Sequence, residues 1–494
     1  MPIRPLALLM SMLLLLPGCG REESGTIAVA FVDSGQAPFA QEFPLSGPAR
    51  HLRAATDAGL VALNAEGEVI PALADQWIVT DDGLSYIFRL RDVNWPDGDP
   101  LSADSARAAL RKAITGLRGT SLGLGSAKIS EVRAMAGRVV EIRLKSPMPE
   151  FLQLLAQPEL ALVPDNGAAG PMELEREGGP MVLDAKTPEQ RGLPAEDNWR
   201  QGIRPLTVEA LPAEEAIRRF DAGAVDVVLG GRIDSIPLVD TGPLSRGTVR
   251  LDPAIGLFGL QVYRDEGLLA TAEGREAVAM AIDRAALLEP FGIGGWAVSE
   301  RIVPPGAAQD LGLPDERWAE QTIEQRRAEA ARRVAVWRTQ ASEDELGPQI
   351  PELTVRLGEG PGLDRLFAGL AQQLATIGVT LRRVEEEGEA DLMLVDRTAR
   401  YAGARWFLDQ LSCSLGEGLC APDADNLVEQ SLTEQNGAAR ADLLAEAERR
   451  LTAAGVFIPI AQPLRWSLVR STIAGFSPNA WAFHPLSDIA GIPR

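Results

Sequence analysis

Between Pro71 and Asp104 the chain sets out a strand, two turns and a helix start in close succession. Tyr86, Phe88 and Leu90 alternate with Ser85, Ile87 and Arg89, a period of two that predicts a strand with one buried face. Asp81-Asp82-Gly83 before it and Pro96-Asp97-Gly98 after it read as turns, because proline presets one turn position and glycine supplies positive φ at the next. From Ser102 the pattern becomes Ser-Ala-Asp-Ser-Ala-Arg-Ala-Ala-Leu, a helix for which Ser102 or Asp104 can act as N-cap. On physical grounds alone this is one strand-turn-helix unit of an α/β domain.

The beginning of the chain bears on its compartment. Arg4, the apolar run Leu6 to Leu16 and Leu16-Pro17-Gly18-Cys19 form a signal peptide with a lipobox-like end, and the run is short for a transmembrane span. Cys19 resembles the cysteine that bacterial lipoproteins acylate, although Pro17 departs from the small residue usual there; the alternative is an ordinary cleaved signal peptide. Cys413 and Cys420 remain. An exported compartment permits them to pair, which would stabilise the fold by roughly 2.5 kcal/mol in the chain-entropy description; two unpaired buried thiols are the competing reading. Two cysteines without a nearby histidine do not complete a zinc shell.

A formal charge of −21 removes the electrostatic reason to bind nucleic acid. His51 and His484 are the only histidines, far apart in sequence, so histidine-based metal or acid/base chemistry starts from little. With 46% hydrophobic residues in 494, the chain can fill two or three lobes.

Strand and helix signals then alternate. Thr26 to Val32 predicts a strand; Glu214 to Phe220 a helix stopped at Gly223 and followed by the strand Val225 to Leu229. Glu273 to Glu289 predicts one long helix. Leu363, Leu366, Phe367, Leu370, Leu374 and Ile377 form a helical stripe, ended by Gly378 before the strand Val379 to Val384. Ala438 to Ala453, Gly455 and Val456 to Ile460 repeat that order.

Several of these segments also resemble a known family. Pro71-Ala72-Leu73-Ala74-Asp75-Gln76-Trp77, then Asp82-Gly83-Leu84-Ser85-Tyr86-Ile87-Phe88-Arg89-Leu90-Arg91, then Trp95-Pro96-Asp97-Gly98-Asp99-Pro100-Leu101 with Ala103-Asp104 are similar, in order, to the N-terminal signature of family 5 extracellular solute-binding proteins. These are the receptors of dipeptide, oligopeptide and nickel importers of the ABC class. Asp221 to Val227, Arg275 to Arg284, the Ile377-Gly378-Val379 exit and Gly475-Phe476 with Asn479 extend the resemblance over most of the chain. It implies an α/β fold of the class II periplasmic-binding-protein kind, two lobes with a hinge plus an extra N-terminal subdomain. The expected division is 1–18 signal peptide; 19–25 lipid-anchored linker; 26–48, 157–256 and 462–494 lobe I; 49–156 extra subdomain; 257–461 lobe II.

The resemblance also implies where a ligand would sit. Peptide-binding members carry an aspartate, just before a tyrosine, that pairs with the ligand's α-amino group; here the matching run is Ala399-Arg400-Tyr401-Ala402-Gly403-Ala404-Arg405-Trp406-Phe407-Leu408. A guanidinium at Arg400 reverses the charge preference, since like charges in a dry cleft cost several kcal/mol. Arg400 then either engages a carboxylate or phosphate through a two-pronged hydrogen bond or pairs with a local acid such as Asp409 or Glu417. Tyr401, Gln261, Trp296 and Trp406 complete the expected ligand-binding set; the tryptophans could stack on a ligand or belong to the core.

No credible catalytic constellation is present. Gly123-Leu124-Gly125-Ser126 with Lys128 lacks phosphate-loop spacing, no Gly-x-Ser-x-Gly elbow occurs, and Asp423-Ala424-Asp425-Asn426 lacks the glycine and distal glutamate of a calcium loop. Glu385-Glu386-Glu387 reads as a solvated charge run. The resulting expectation is a monomeric, lipid-anchored periplasmic receptor of an ABC importer. It needs no cofactor or metal, takes a peptide-like or other small solute, anionic ones included, and works with permease subunits. The alternatives are a degenerate scaffold or sensor, or an exported hydrolase.

Overall fold

The computed structural model describes residues 25–164, 169–175, 180–240, 247–311, 318, 320–344, 350–385 and 390–493. The signal peptide, Cys19 and Glu386-Glu387 lie outside the described residues. No described helix is long and apolar enough to cross a membrane.

The first strand, Ile27–Val32, is the centre of a seven-stranded sheet and pairs in parallel with Leu206–Leu211 and Val227–Gly231. A strand in that position is covered on both faces, hence its apolar sequence. Ile27, Val29 and Phe31 face a core with Leu52, Leu206, Val227 and Leu486, whereas Ala30 faces the opposite core. Arg465–Val469 and Val249–Asp252 extend the sheet on one side, Met181–Ala185 and Met172–Glu175 on the other.

A five-stranded sheet builds the second lobe, in the order Thr380–Arg383, Glu352–Arg356, Leu392–Thr398, Gly256–Val262, Phe457–Ala461. Phe258, Leu260 and Val262 pack with the helices Ala272–Ala281 and Pro361–Ala375, while Leu257, Gly259 and Gln261 alternate onto the other face. The chain crosses between the two sheets from Asp252 to Gly256 and from Ala461 to Arg465. Gly256 N–H donates to Gln462 Oε1 at 2.9 Å, tying the two crossings together.

The unit opened by the Pro71 to Asp104 stretch is a four-stranded antiparallel sheet, Ala74–Val79, Ser85–Leu90, Val139–Leu144, Ile129–Ala134, joined by the ribbon Val61–Leu63 with Val69–Pro71. Tyr86, Phe88 and Leu90 are buried as the period of two requires. Ser102 caps the helix Ala103–Gly116 in a capping box with Ser105. The core of this subdomain runs without a break into Tyr401, Trp406, Phe407 and Leu411 of the second lobe.

One element differs from the pattern. The expected helix Glu273 to Glu289 is two, Ala272–Ala281 and Arg284–Leu288. Asp283 takes an extended backbone and its carboxylate accepts the N–H of Ala286, so it caps a new helix instead of continuing the old one.

Candidate ligand cleft

A cavity of about 500 Å³ opens where the loop after Val227–Gly231 meets the five-stranded sheet. Arg232 and Asp234 line it from the first lobe, Gln261, Asp396, Arg397 and Glu417 from the second. Gln261 is only 4% exposed, and its amide makes no hydrogen bond to any described residue. An unsatisfied amide in a dry core would cost about 1–3 kcal/mol; at the wall of a cavity it is available to a ligand. Gly418, at φ +109, makes room for it, since a Cβ there would come within 3.1 Å of Gln261 Nε2.

Charges from both lobes converge beside this cavity. Arg465, on its own strand in the first lobe, donates from Nη1 to Asp396 Oδ1 at 2.7 Å, and both side chains are about nine-tenths buried. Arg400 pairs with Glu159, on the helical turn Pro158–Leu160. Gln157 Nε2 donates to the Arg400 carbonyl at 2.7 Å, and Ala402 N–H to Gln153 Oε1 at 3.0 Å. Arg50, on the helix Gly47–Thr56, completes the group: burial lowers its guanidinium pKa, against the attraction of Glu159 and with the repulsion of Arg232 and Arg465. Burial raises the Glu159 pKa, which Arg50 and Arg53 oppose. The Arg50 and Arg232 side chains make no hydrogen bond among the described residues.

The expected site residues divide on this geometry. Gln261 lines the cavity. Arg400 lies near it but is internally paired, and its partner is neither acid the sequence suggested: Asp409 is held by Arg405 at 3.1 Å and Glu417 by Arg397. Tyr401 is 1% exposed, packed against Gly125, and burial pushes its phenol pKa well up. Trp406, 3% exposed, stacks edge-on against Phe407. Both are core residues, not cavity wall, because the subdomain closes over them. Trp296 is half-buried against Phe258 and Phe291 and donates its indole N–H to the Gln462 carbonyl at 2.7 Å. It supports the crossing between sheets, away from Gln261. Cys413 and Cys420 form a disulfide, with Cα atoms 5.1 Å apart.

Sequence reasoning missed Arg50, Glu159, Arg232, Asp396 and Arg465. One signal was legible: the glycine pair Gly230-Gly231 before Arg232, where a Cβ on Gly231 would strike the Trp466 ring at 2.0 Å and Gly230 takes φ +82. Such backbone is found where a strand must turn sharply beside a neighbour. A larger cavity, about 980 Å³, lies at the joint between the subdomain and the first lobe and includes none of the expected ligand residues. No cluster of three or more potential metal ligands occurs among the described residues.

Comparison with known proteins agrees with this architecture. The chain is 23% identical over 472 residues to a probable di/tripeptide-binding protein of Pseudomonas aeruginosa, covering 86% of this chain and 88% of that one. It is 25% identical over 368 residues to the nickel-binding periplasmic protein of Escherichia coli, covering 69% and 68%. The crystal structure of Haemophilus influenzae OppA in complex with the peptide RPPGFSPFR superposes with a TM-score of 0.76 at 16% identity, over 94% of this chain and 98% of that one. The family model described as "Bacterial extracellular solute-binding proteins, family 5 Middle" matches residues 68–417, and with that span of the chain accounted for, this protein belongs to the family 5 extracellular solute-binding proteins.

Proposed function

We propose that the chain is the solute-binding receptor of an ABC importer, anchored to the membrane through lipid at Cys19, which captures a small peptide-like or anionic solute between its lobes and delivers it to permease subunits. The observation that carries this reading is the unpartnered Gln261 amide at the wall of the 500 Å³ cavity, with the uncommitted guanidinium of Arg232 on the facing lobe. Lobes joined by two short crossings can close on such a ligand by a hinge. Arg400 is better read as a strut between the lobes than as a ligand contact, so the preference for a negative group moves to Arg232 and Arg50.

The test is native mass spectrometry of the mature chain carrying Cys19→Ser, followed by calorimetric titration of whatever solute co-purifies. Gln261→Ala should weaken binding by roughly tenfold, the loss of about one buried hydrogen bond. Unchanged affinity in Gln261→Ala and Arg232→Gln would remove the cavity from consideration. A second reading has its own support: Arg400 with Glu159 and Arg465 with Asp396 already fill part of the interlobe space with internal partners, as a scaffold or sensor that no longer transports would allow. A well-folded sample that binds no solute from a peptide and organic-acid panel would favour it.

A further inference from the structure

The helix Ala103–Gly116 lies beside the edge strand Ile129–Ala134 of the subdomain, and the two enclose a groove of about 440 Å³. Arg107, Arg111 and Arg118 line it from the helical side and Arg133 from the strand. Arg107 is paired with Asp104 at 2.9 Å and Arg133 with Glu131 at 2.7 Å. Arg111 and Arg118 are exposed and have no carboxylate partner among the described residues. The concentration of charge is local: residues 101–145 hold nine lysines and arginines against three acids, in a chain whose net charge is −21. Of those nine only Lys128 is buried. At the end of the strand, Met135 is 49% exposed, an apolar side chain at the lip of the basic groove.

We propose that this groove is a docking surface for the anionic phospholipid headgroups of the membrane. Guanidinium forks suit phosphate diesters, which accept two parallel hydrogen bonds. The strand that forms one wall of the groove is an edge strand with no neighbouring strand on its outer side. A strongly acidic protein held near an anionic leaflet is repelled over most of its surface and attracted over this face alone, so the patch sets which side faces the lipid. Met135 supplies a group that enters the interfacial region beside the phosphates. A soluble acidic protein would meet the same arginines but has no use for an exposed methionine at the rim; a lipid surface accommodates both. The inference does not depend on which solute the cleft binds.

The experiment is vesicle flotation of the mature chain with Cys19→Ser, so that no acyl group contributes. Vesicles of phosphatidylglycerol with phosphatidylcholine are compared with phosphatidylcholine alone. The expected result is co-flotation with the anionic vesicles only, abolished by high salt. It should fall roughly tenfold or more in Arg107→Gln/Arg111→Gln/Arg118→Gln, while the control Arg218→Gln/Arg332→Gln/Arg449→Gln behaves as the parent. These are surface positions, so an unchanged thermal midpoint confirms that the variants are folded. Equal flotation on both vesicle types, or equal loss in the two triple variants, overturns the proposal. So does capture by an acidic protein in the absence of lipid with no flotation.

Discussion

Arg400 and Glu159 are 241 positions apart in sequence yet form one buried pair, with side chains 14% and 7% exposed. Such a pair contributes little net stability over an apolar replacement, but removing one partner strands a charge. Arg400→Met should therefore destabilise the protein by about 3 kcal/mol in chemical denaturation. Adding Glu159→Gln should recover most of that, though Arg50 and Arg53 then lose an attractive neighbour. Additive losses in the double variant would show that the two do not act as a unit. The substitution at Arg400 was visible in the sequence as a departure from the family frame; its partner was not, because nothing local distinguishes Glu159 from any other glutamate. Tyr401 and Trp406 show the converse. Their place in the frame was readable, but whether an aromatic ring meets ligand or core depends on what packs over it, and here the subdomain does.

At the scale of single elements the sequence was most legible where glycine and apolar spacing agree. The helix Pro361–Ala375 carries the predicted stripe and is followed, after Gly378 at φ +78, by the strand Thr380–Arg383. Gly437–Ala454, Gly455 at φ +62 and Phe457–Ala461 repeat it. The break at Asp283 escaped that logic, because the apolar pattern runs through it and only the side-chain cap ends one helix and begins the next. Asp283 is also tied to Gln373, whose Oε1 accepts its N–H at 2.6 Å while Nε2 donates to its carbonyl at 3.1 Å. Asp283→Ala should lower stability by about 1 kcal/mol through the lost cap, read as a shift in the urea midpoint. Asp283→Ser should retain most of it; equal losses for alanine and serine would assign the break to Gln373 instead.

Across the whole molecule, His51 ties the helix Gly47–Thr56 to the C-terminal segment. It stacks on Phe483 with centroids 4.6 Å apart, its Nδ1 donates to the Gly47 carbonyl at 2.8 Å, and its Nε2 accepts the N–H of His484 at 3.2 Å. That arrangement requires the neutral ring, and burial lowers its pKa from 6.5 to about 3, only partly opposed by the bond to Gly47. Because the folded pKa lies below the unfolded one, its contribution is present above pH 6.5 and is lost as pH falls toward 3. Buried Asp409, raised to about 6 chiefly by burial despite Arg405, has the opposite sign: its contribution is lost as pH rises through 6, and it offsets part of the slope. Between pH 7 and about 4.5, the parent should lose roughly 2–3 kcal/mol more than His51→Gln. Parallel stability curves for the two would rule the histidine out. Family membership, the alternation of strands and helices and the signature subdomain were all determined by the chain's own order of residues, because period, turn and cap are short-range properties. What lies in the cleft was decided only by the tertiary structure. Arg50, Glu159, Asp396 and Arg465 come from both lobes, and their charges acquire meaning only when packing removes water between them.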